Sequence, residues 1–281
     1  MPERRGSALF VSAASLGNPA WPELLAAASQ AGFDGLSVWP APTWGRARAE
    51  GWRDADLRRS LDDHGLTVLD VDAHVVWAGP GDPGGPYFEE ASLDDIVAAA
   101  HALGARSCNV LVTGRRGASV DDGVVALAGA CARLAPHGLA VTVEFAPGTA
   151  VGDLATAAEV VRRVRAEHGH EAAVLLDVWH HRGRVPAGTP VDPADARTVA
   201  VVQLDDVPAE PYDRARANRH GRLPPGEGAG DVRGVVAELR AAGAAPAWVV
   251  EVFHDALLGE LGPAGFARRL ADAARAVIAA Q

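Results

Sequence analysis

Residues 121–144 read DDGVVALAGACARLAPHGLAVTVE. The stretch holds two elements and the joint between them. Asp121–His137 reads as a helix. Gly138 stops it, because glycine enters the left-handed cap conformation at no steric cost. Leu139–Glu144 is then an apolar run that ends abruptly in a carboxylate. A strand that is apolar on both faces belongs in the middle of a layered parallel sheet.

The same helix–glycine–strand joint recurs at Gly32, Gly65, Gly104 and Gly243. Working outward from it, strands are expected at Leu9–Ser12, Gly35–Trp39, Thr67–Val71, Ser107–Val112, Leu139–Glu144, Ala172–Asp177, Val199–Leu204 and Ala247–Glu251. Helices are expected at Pro22–Ala31, Asp54–His64, Ser92–Leu103, Asp121–His137, Leu154–His168, Asp231–Ala242 and Pro263–Ala280, with a weak turn at Pro193–Asp195. Seven of the eight residues Gly79–Pro86 are Gly or Pro, so Trp77–Glu90 reads as loop. Eight strand–helix units in 281 residues predict a (β/α)8 TIM barrel, one domain spanning 1–281. An open doubly wound sheet would want a glycine-rich phosphate fingerprint after the first strand, and SLGNPAWPE at 15–23 has none.

All 26 basic residues are arginines, so the chain has no lysine. That excludes Schiff-base aldolase chemistry, pyridoxal phosphate anchoring, and the lysines of phosphate loops and kinases. A net charge of −10 disfavours nucleic acid as a partner. The two cysteines, Cys108 and Cys131, form neither a disulfide framework nor a metal motif, and read as small buried thiols of a reducing compartment. No apolar run reaches the roughly 18 residues of a membrane span. Arg4-Arg5 followed by ALFVSAAS faintly resembles an export signal, but that stretch is needed as the first strand. The expectation is a cytoplasmic protein with a small-molecule substrate, with homo-oligomers allowed.

In a barrel the chemistry sits where strands end. Asp72 and His74 follow strand 3, and Glu144, Asp177, Gln203 and Glu251 end strands 5 to 8. Neighbouring strands lie roughly 5 Å apart, so four such side chains can converge. Three converging carboxylates repel unless a cation holds them. The alternative, that these are caps and surface charge, is weak for Glu144 and Glu251. Each ends an apolar run, AVTVE and WVVE, and an unpartnered buried carboxylate is costly.

Five motifs carry a resemblance: VEFAP at Glu144, LLDVWH from Asp177 to His180, VVQLDD at Gln203, RLPPGEG from Arg222, and VVEVFH at Glu251. In this order they resemble the xylose isomerase-like TIM-barrel superfamily. It groups sugar (phosphate) isomerases and epimerases with inosose dehydratase and the endonuclease IV branch, and the likeness runs over roughly residues 7–280. The resemblance implies one divalent metal on Glu144, Asp177, Gln203 and Glu251. Many members carry histidine where Gln203 stands, and glutamine there is similar to the hydroxypyruvate isomerase branch. Such an all-oxygen set favours Mn²⁺ or Mg²⁺ over Zn²⁺. The strand-2 glutamate of the family corresponds to Ser37 here.

The resemblance also implies a mechanism. One glutamate of the pair Glu144 and Glu251 removes a proton beside a carbonyl, and the other returns it through an enediolate that the metal stabilises. His180 matches a histidine that touches substrate near the metal; otherwise it is a strand-end histidine bonded to backbone. Arg222 matches an arginine that stabilises the enediolate oxygen; otherwise it is a solvated loop arginine. His74 and His254 read equally as substrate contacts or loop histidines. Trp39, Trp77 and Trp179 read equally as pocket wall or packing. Asp206 fixes a ligand or caps the long loop, and Arg214, Arg216 and Arg219 hold an anion or form a solvated run. The leading expectation is a metal-dependent isomerase or epimerase. A lyase using the same enolate is the alternative. A nuclease is disfavoured, because the ten histidines fall mostly on helices and loops. A non-catalytic binding protein is the remaining reading.

Overall fold

The computed structural model describes residues 8–79, 91–114, 118–183 and 185–280. Its strands are β1 Leu9–Ser12, β2 Gly35–Val38, β3 Thr67–Ala78, β4 Ser107–Gly114, β5 Ala140–Glu144, β6 Ala172–Asp177, β7 Val199–Leu204 and β8 Ala247–Val250. They pair in parallel in the order β1 to β8 and close, β1 against β8. Closure leaves no strand edge unpaired. The helices are α1 Trp21–Gln30, α2 Arg46–Ala49, α3 Asp54–Asp63, α4 Leu93–Leu103, α5 Val120–Leu134 and α6 Leu154–His168. They continue as α7 Val178–Arg182, α8 Pro193–Ala196, α9 Arg214–His220, α10 Val232–Ala241 and α11 Asp255–Ala279.

Two apolar layers hold the barrel. Phe10, Leu175, Val201 and Val249 fill its interior, with Leu69 and Ala247 packed against them. A larger layer between strands and helices includes Leu24, Ile96, Leu127, Val160, Val235 and Phe266. Cys108 and Cys131 are buried free thiols. The helix ends follow local chemistry. Ser92 Oγ accepts the Asp95 N–H at 3.1 Å, and Ser119 with Asp122 forms a reciprocal capping box at the start of α5. Gly138, the joint before β5, has φ 72°, a left-handed conformation that disfavours any side chain.

Several elements depart from the sequence reading. β3 runs to Ala78 rather than Val71, because its apolar end VVWA still pairs with β4. The mouth-side loops after β6 and β7 carry the short helices α7 and α9. The last helix begins at Asp255 and breaks at Gly262 (φ 64°, ψ 170°), so its second part starts at Pro263 as expected. The glycine–proline loop at 80–90 lies outside the described residues. Among the described residues no helix is long and apolar enough to cross a membrane.

Candidate active site

Asp70, Asp72, Glu144, Asp177, Asp205 and Glu251 are all buried in the upper barrel, and the Arg222 guanidinium is buried among them. Six carboxylates against one cation is an imbalance that folding alone does not favour. Arg222 Nη1 lies 2.8 Å from Asp205, 3.0 Å from Asp177 and 3.4 Å from Glu251. Its Nε and Nη2 bond Asn218 at 3.1 Å each, and its plane sits 4.7 Å from the Phe253 ring centre. At 3% exposure it is no solvated loop arginine.

Asp177 ends β6 and caps α7. Its Oδ1 accepts the backbone N–H of Trp179 at 2.7 Å and of His180 at 3.4 Å. One turn of α7 then brings His180 Nε2 to 3.5 Å from both Asp177 and Glu144. Burial acts to raise the Asp177 carboxyl, but Arg222, His180 and the two N–H groups hold it below the usual carboxylate range. Burial pushes Glu251 up to about 8, against the pull of Arg222. Burial and the neighbouring Asp72 raise Glu144 well above its ordinary value. His180 is pushed down to about 4 by burial, so it is neutral at pH 7.

Glu144, Asp177 and His180 each offer an atom within 4.8 Å of the others, a spacing that suits one cation. Gln203 Oε1 and Glu251 Oε1 are buried with no hydrogen-bond partner among the described residues. A divalent cation would satisfy these orphaned oxygens and offset the surplus carboxylates, so the donor set fits a divalent metal. The set is not all oxygen, however. His180 Nε2 joins it, which removes the ground for preferring Mn²⁺ or Mg²⁺ to Zn²⁺.

A cavity of about 830 Å³ opens above this cluster. Glu144, Glu251, His180 and Arg222 line its floor, and Trp39, Phe253 and Leu258 line a wall. Trp39 and Phe253 meet edge to face at 6.1 Å. His254 also lines the cavity, and its Nδ1 accepts the Leu257 N–H at 3.3 Å, capping α11.

Three expected pocket residues do not line the cavity. His74 faces outward, with Arg133 of α5 at 3.3 Å from its Nε2. The β3–β4 register slips between Val71 and His74, so Ala73 and Val75 face the cavity in its place. Trp77 lies beyond the same slip, off the cavity lining. Trp179 is turned back by α7, packs with Val207 and Ala217, and lies under the Arg214 guanidinium at 4.7 Å. Arg214 thus holds the loop, Arg216 is exposed, and Arg219 reaches the cavity rim. Asp206 caps the long loop: its carboxylate accepts N–H groups of Gly226, Gly228 and Gly230 at 3.0, 2.9 and 2.8 Å.

Asp72, Asn109 and Asp205 belong to the site but received no role from the sequence. Asn109 left a signal, an amide inside the apolar run of β4. It donates to Asp72 at 2.7 Å and to Glu144 at 2.9 Å.

The family described as the xylose isomerase-like TIM barrel matches residues 25–278. The chain belongs to that family. A search among curated proteins finds no match. Among solved structures, the IolI protein with a bound zinc atom superposes with a TM-score of 0.77 at 16% identity, covering 97% of this chain and 98% of that one. The probable 3-DHS dehydratase AsbF from Bacillus anthracis gives 0.66 at 13%, covering 94% and 97%. D-psicose 3-epimerase with D-tagatose, from Clostridium cellulolyticum H10, gives 0.64 at 12%, covering 96% and 99%. Likenesses at such identities carry the fold, so this family member's chemistry is argued from its own residues.

Proposed function

We propose that this xylose isomerase-like barrel is a divalent-metal-dependent isomerase or epimerase. It acts on a hydroxy-ketone or sugar-like substrate by moving a proton at the carbon beside the carbonyl. The observation that carries the reading is a pair of buried glutamates, Glu144 and Glu251, that line one cavity from strands three apart. Glu144, Asp177, Gln203 and Glu251 would hold the ion, with His180 Nε2 beside them. When bound, the ion supplies Lewis-acid polarisation of the substrate's carbonyl.

The rest is done by the chain. Glu251 Oε1, without a partner, is placed to take or return a proton on one side of the substrate. Glu144 Oε1 does so on the other, while Asn109 keeps Oε2 fixed. Arg222 offers its charge to an oxyanion at the floor. The wall of Trp39, Phe253 and Leu258 limits water at the reacting carbon. No lysine is needed at any step.

Solvent exchange tests this directly. Candidate ketoses and keto-cyclitols are incubated in D₂O with protein loaded in turn with Mn²⁺, Mg²⁺ and Zn²⁺. Deuterium at the α carbon, lost in Glu251→Gln, supports the proposal. Loss of a β-leaving group instead assigns the chain to the lyases. Absence of exchange with every candidate and ion, with Glu251→Gln indistinguishable from the wild type, sinks both.

A further inference from the structure

A side-chain amide has one donating end and one accepting end, and only the oxygen can hold a cation. Which end of Gln203 faces the site therefore decides whether it is a ligand at all. Gln203 stands on β7, and directly across the barrel stands Asp72 on β3. One Asp72 oxygen accepts Gln203 Nε2–H at 3.2 Å, and the other accepts Asn109 Nδ2–H at 2.7 Å. A carboxylate is an acceptor only. Turning the Gln203 oxygen toward it would set acceptor against acceptor in a buried place, where that is expensive. The Nε2 end is thus held on Asp72, and Oε1 is the atom left over, buried and without a partner among the described residues. Asn109 gives its second N–H to Glu144 at 2.9 Å, and its own oxygen accepts the Thr142 hydroxyl at 3.3 Å. A single run of hydrogen bonds therefore links Gln203, Asp72, Asn109 and Glu144 across four strands.

We propose that Asp72 is a positioning residue that turns the Gln203 amide so that Oε1 is presented to the cation and, through Asn109, sets the Glu144 carboxylate. Asp72 lines the cavity, so it could be taken for a ligand itself. Both its oxygens are committed to amide N–H groups, which leaves it no free ligand atom. The inference rests on the metal-site reading above.

The test is Mn²⁺ affinity of chelator-stripped protein, followed by the electron paramagnetic resonance of the free ion. Asp72→Asn keeps the shape but gives Gln203 a donor to face, so the amide flips and offers Nε2 to the ion. Its affinity is expected to fall about ten- to a hundredfold, the usual cost of losing an outer-sphere partner. Adding Gln203→Glu to Asp72→Asn reverses the hydrogen bond and restores an oxygen toward the ion. Affinity should then return to within about threefold of wild type, a gain larger than Gln203→Glu alone gives beside the native Asp72, a coupling that only interacting residues show. Were Asp72 a ligand, Gln203→Glu would tighten binding by the same factor with Asp72 or Asn at position 72. Affinity of Asp72→Asn within about twofold of wild type, or a double variant no tighter than the single, overturns the proposal. If Asp72→Asn does not fold, Gln203→Glu alone decides: with Asp72 kept, it sets acceptor against acceptor, and binding no weaker than in the double variant overturns the proposal. Glu144→Gln separates the two readings. Wild-type protein that takes up neither Mn²⁺ nor Zn²⁺ removes the metal site and this inference with it. Uptake weakened by Glu144→Gln but untouched by Asp72→Asn removes the positioning role alone.

Discussion

Arg222 touches Asp177, Asp205 and Glu251 with a single nitrogen, so its removal would leave three buried carboxylates facing one another. Arg222→Ala is expected to cost about 3–5 kcal/mol in urea denaturation of metal-free protein, the range for breaking a buried ion pair on one side. Arg222→Lys should not recover it in full, since an ammonium cannot reproduce the flat fork that also bonds Asn218 and stacks on Phe253. Glu144, Asp177 and Glu251 were legible because each is a carboxylate closing an apolar run, and burial at that place has few other uses. Asp205 was not. It and Asp206 are adjacent and chemically identical, and only the direction in which each side chain leaves the strand end separates an ion-pair partner from a loop cap. His180 was legible as a substrate contact near the metal but not as a donor beside the carboxylates, because that depends on α7 starting at once after β6.

At the level of elements, the irregular register of β3 decides which of its side chains meet the cavity. Without the slip, alternation would carry His74 inward after Asp72; with it, His74 meets Arg133 of α5. His74→Leu should therefore leave kcat/KM for any substrate within about twofold, while costing at most about 1 kcal/mol of stability, since exposed Arg133 finds water in place of the ring, read as parallel activity and melting curves. Helices and strands flanking glycine were legible because cap chemistry and apolar runs are local. A register slip has no local mark, because the extra residue is visible only against the partner strand. The loop after β7 offers a second case. Three glycine N–H groups converge on Asp206, and Arg182 Nε bonds the Gly230 carbonyl at 2.6 Å. Asp206→Ala is expected to loosen residues 226–230 first, seen as early hydrogen exchange at those glycines ahead of the barrel strands.

For the molecule as a whole, the surplus of buried acids makes stability depend on pH. Between about pH 6.5 and 8 the folded chain retains protons on Asp70, pushed to about 7 by burial and by Asp72, and on Glu251, pushed to about 8 by burial. The unfolded chain, with ordinary carboxylates, holds none there. The folded state binds more protons, so stability falls as pH rises through this window. Below it His74, His180 and His181, each pushed down to about 4 by burial, oppose this trend without reversing it, because the unfolded chain accepts protons that these three resist. Metal-free protein should thus melt lower at pH 8 than at pH 6.5, and the rise in Tm on adding Mn²⁺ should be larger at pH 8. Melting that is flat across the window, with and without ion, would contradict it. The eight-unit barrel was legible from the repeat alone, since every unit carries the same apolar rhythm. The cavity shape was not, because it is set by the irregular mouth-side loops.

The glycine joints at 32, 65, 104, 138 and 243 each precede a strand whose far end opens toward the mouth. They therefore gather on the barrel's closed end, with its full length between them and the chemistry. The chain carries no lysine, so a lysine placed at an exposed joint position, such as His137→Lys, would be its one side-chain amine. Amine-reactive supports at high pH would then take hold at the base through that lysine, with the mouth turned to solution and the α-amino group as the competing amine. A surface of this protein could be made oriented by a single substitution.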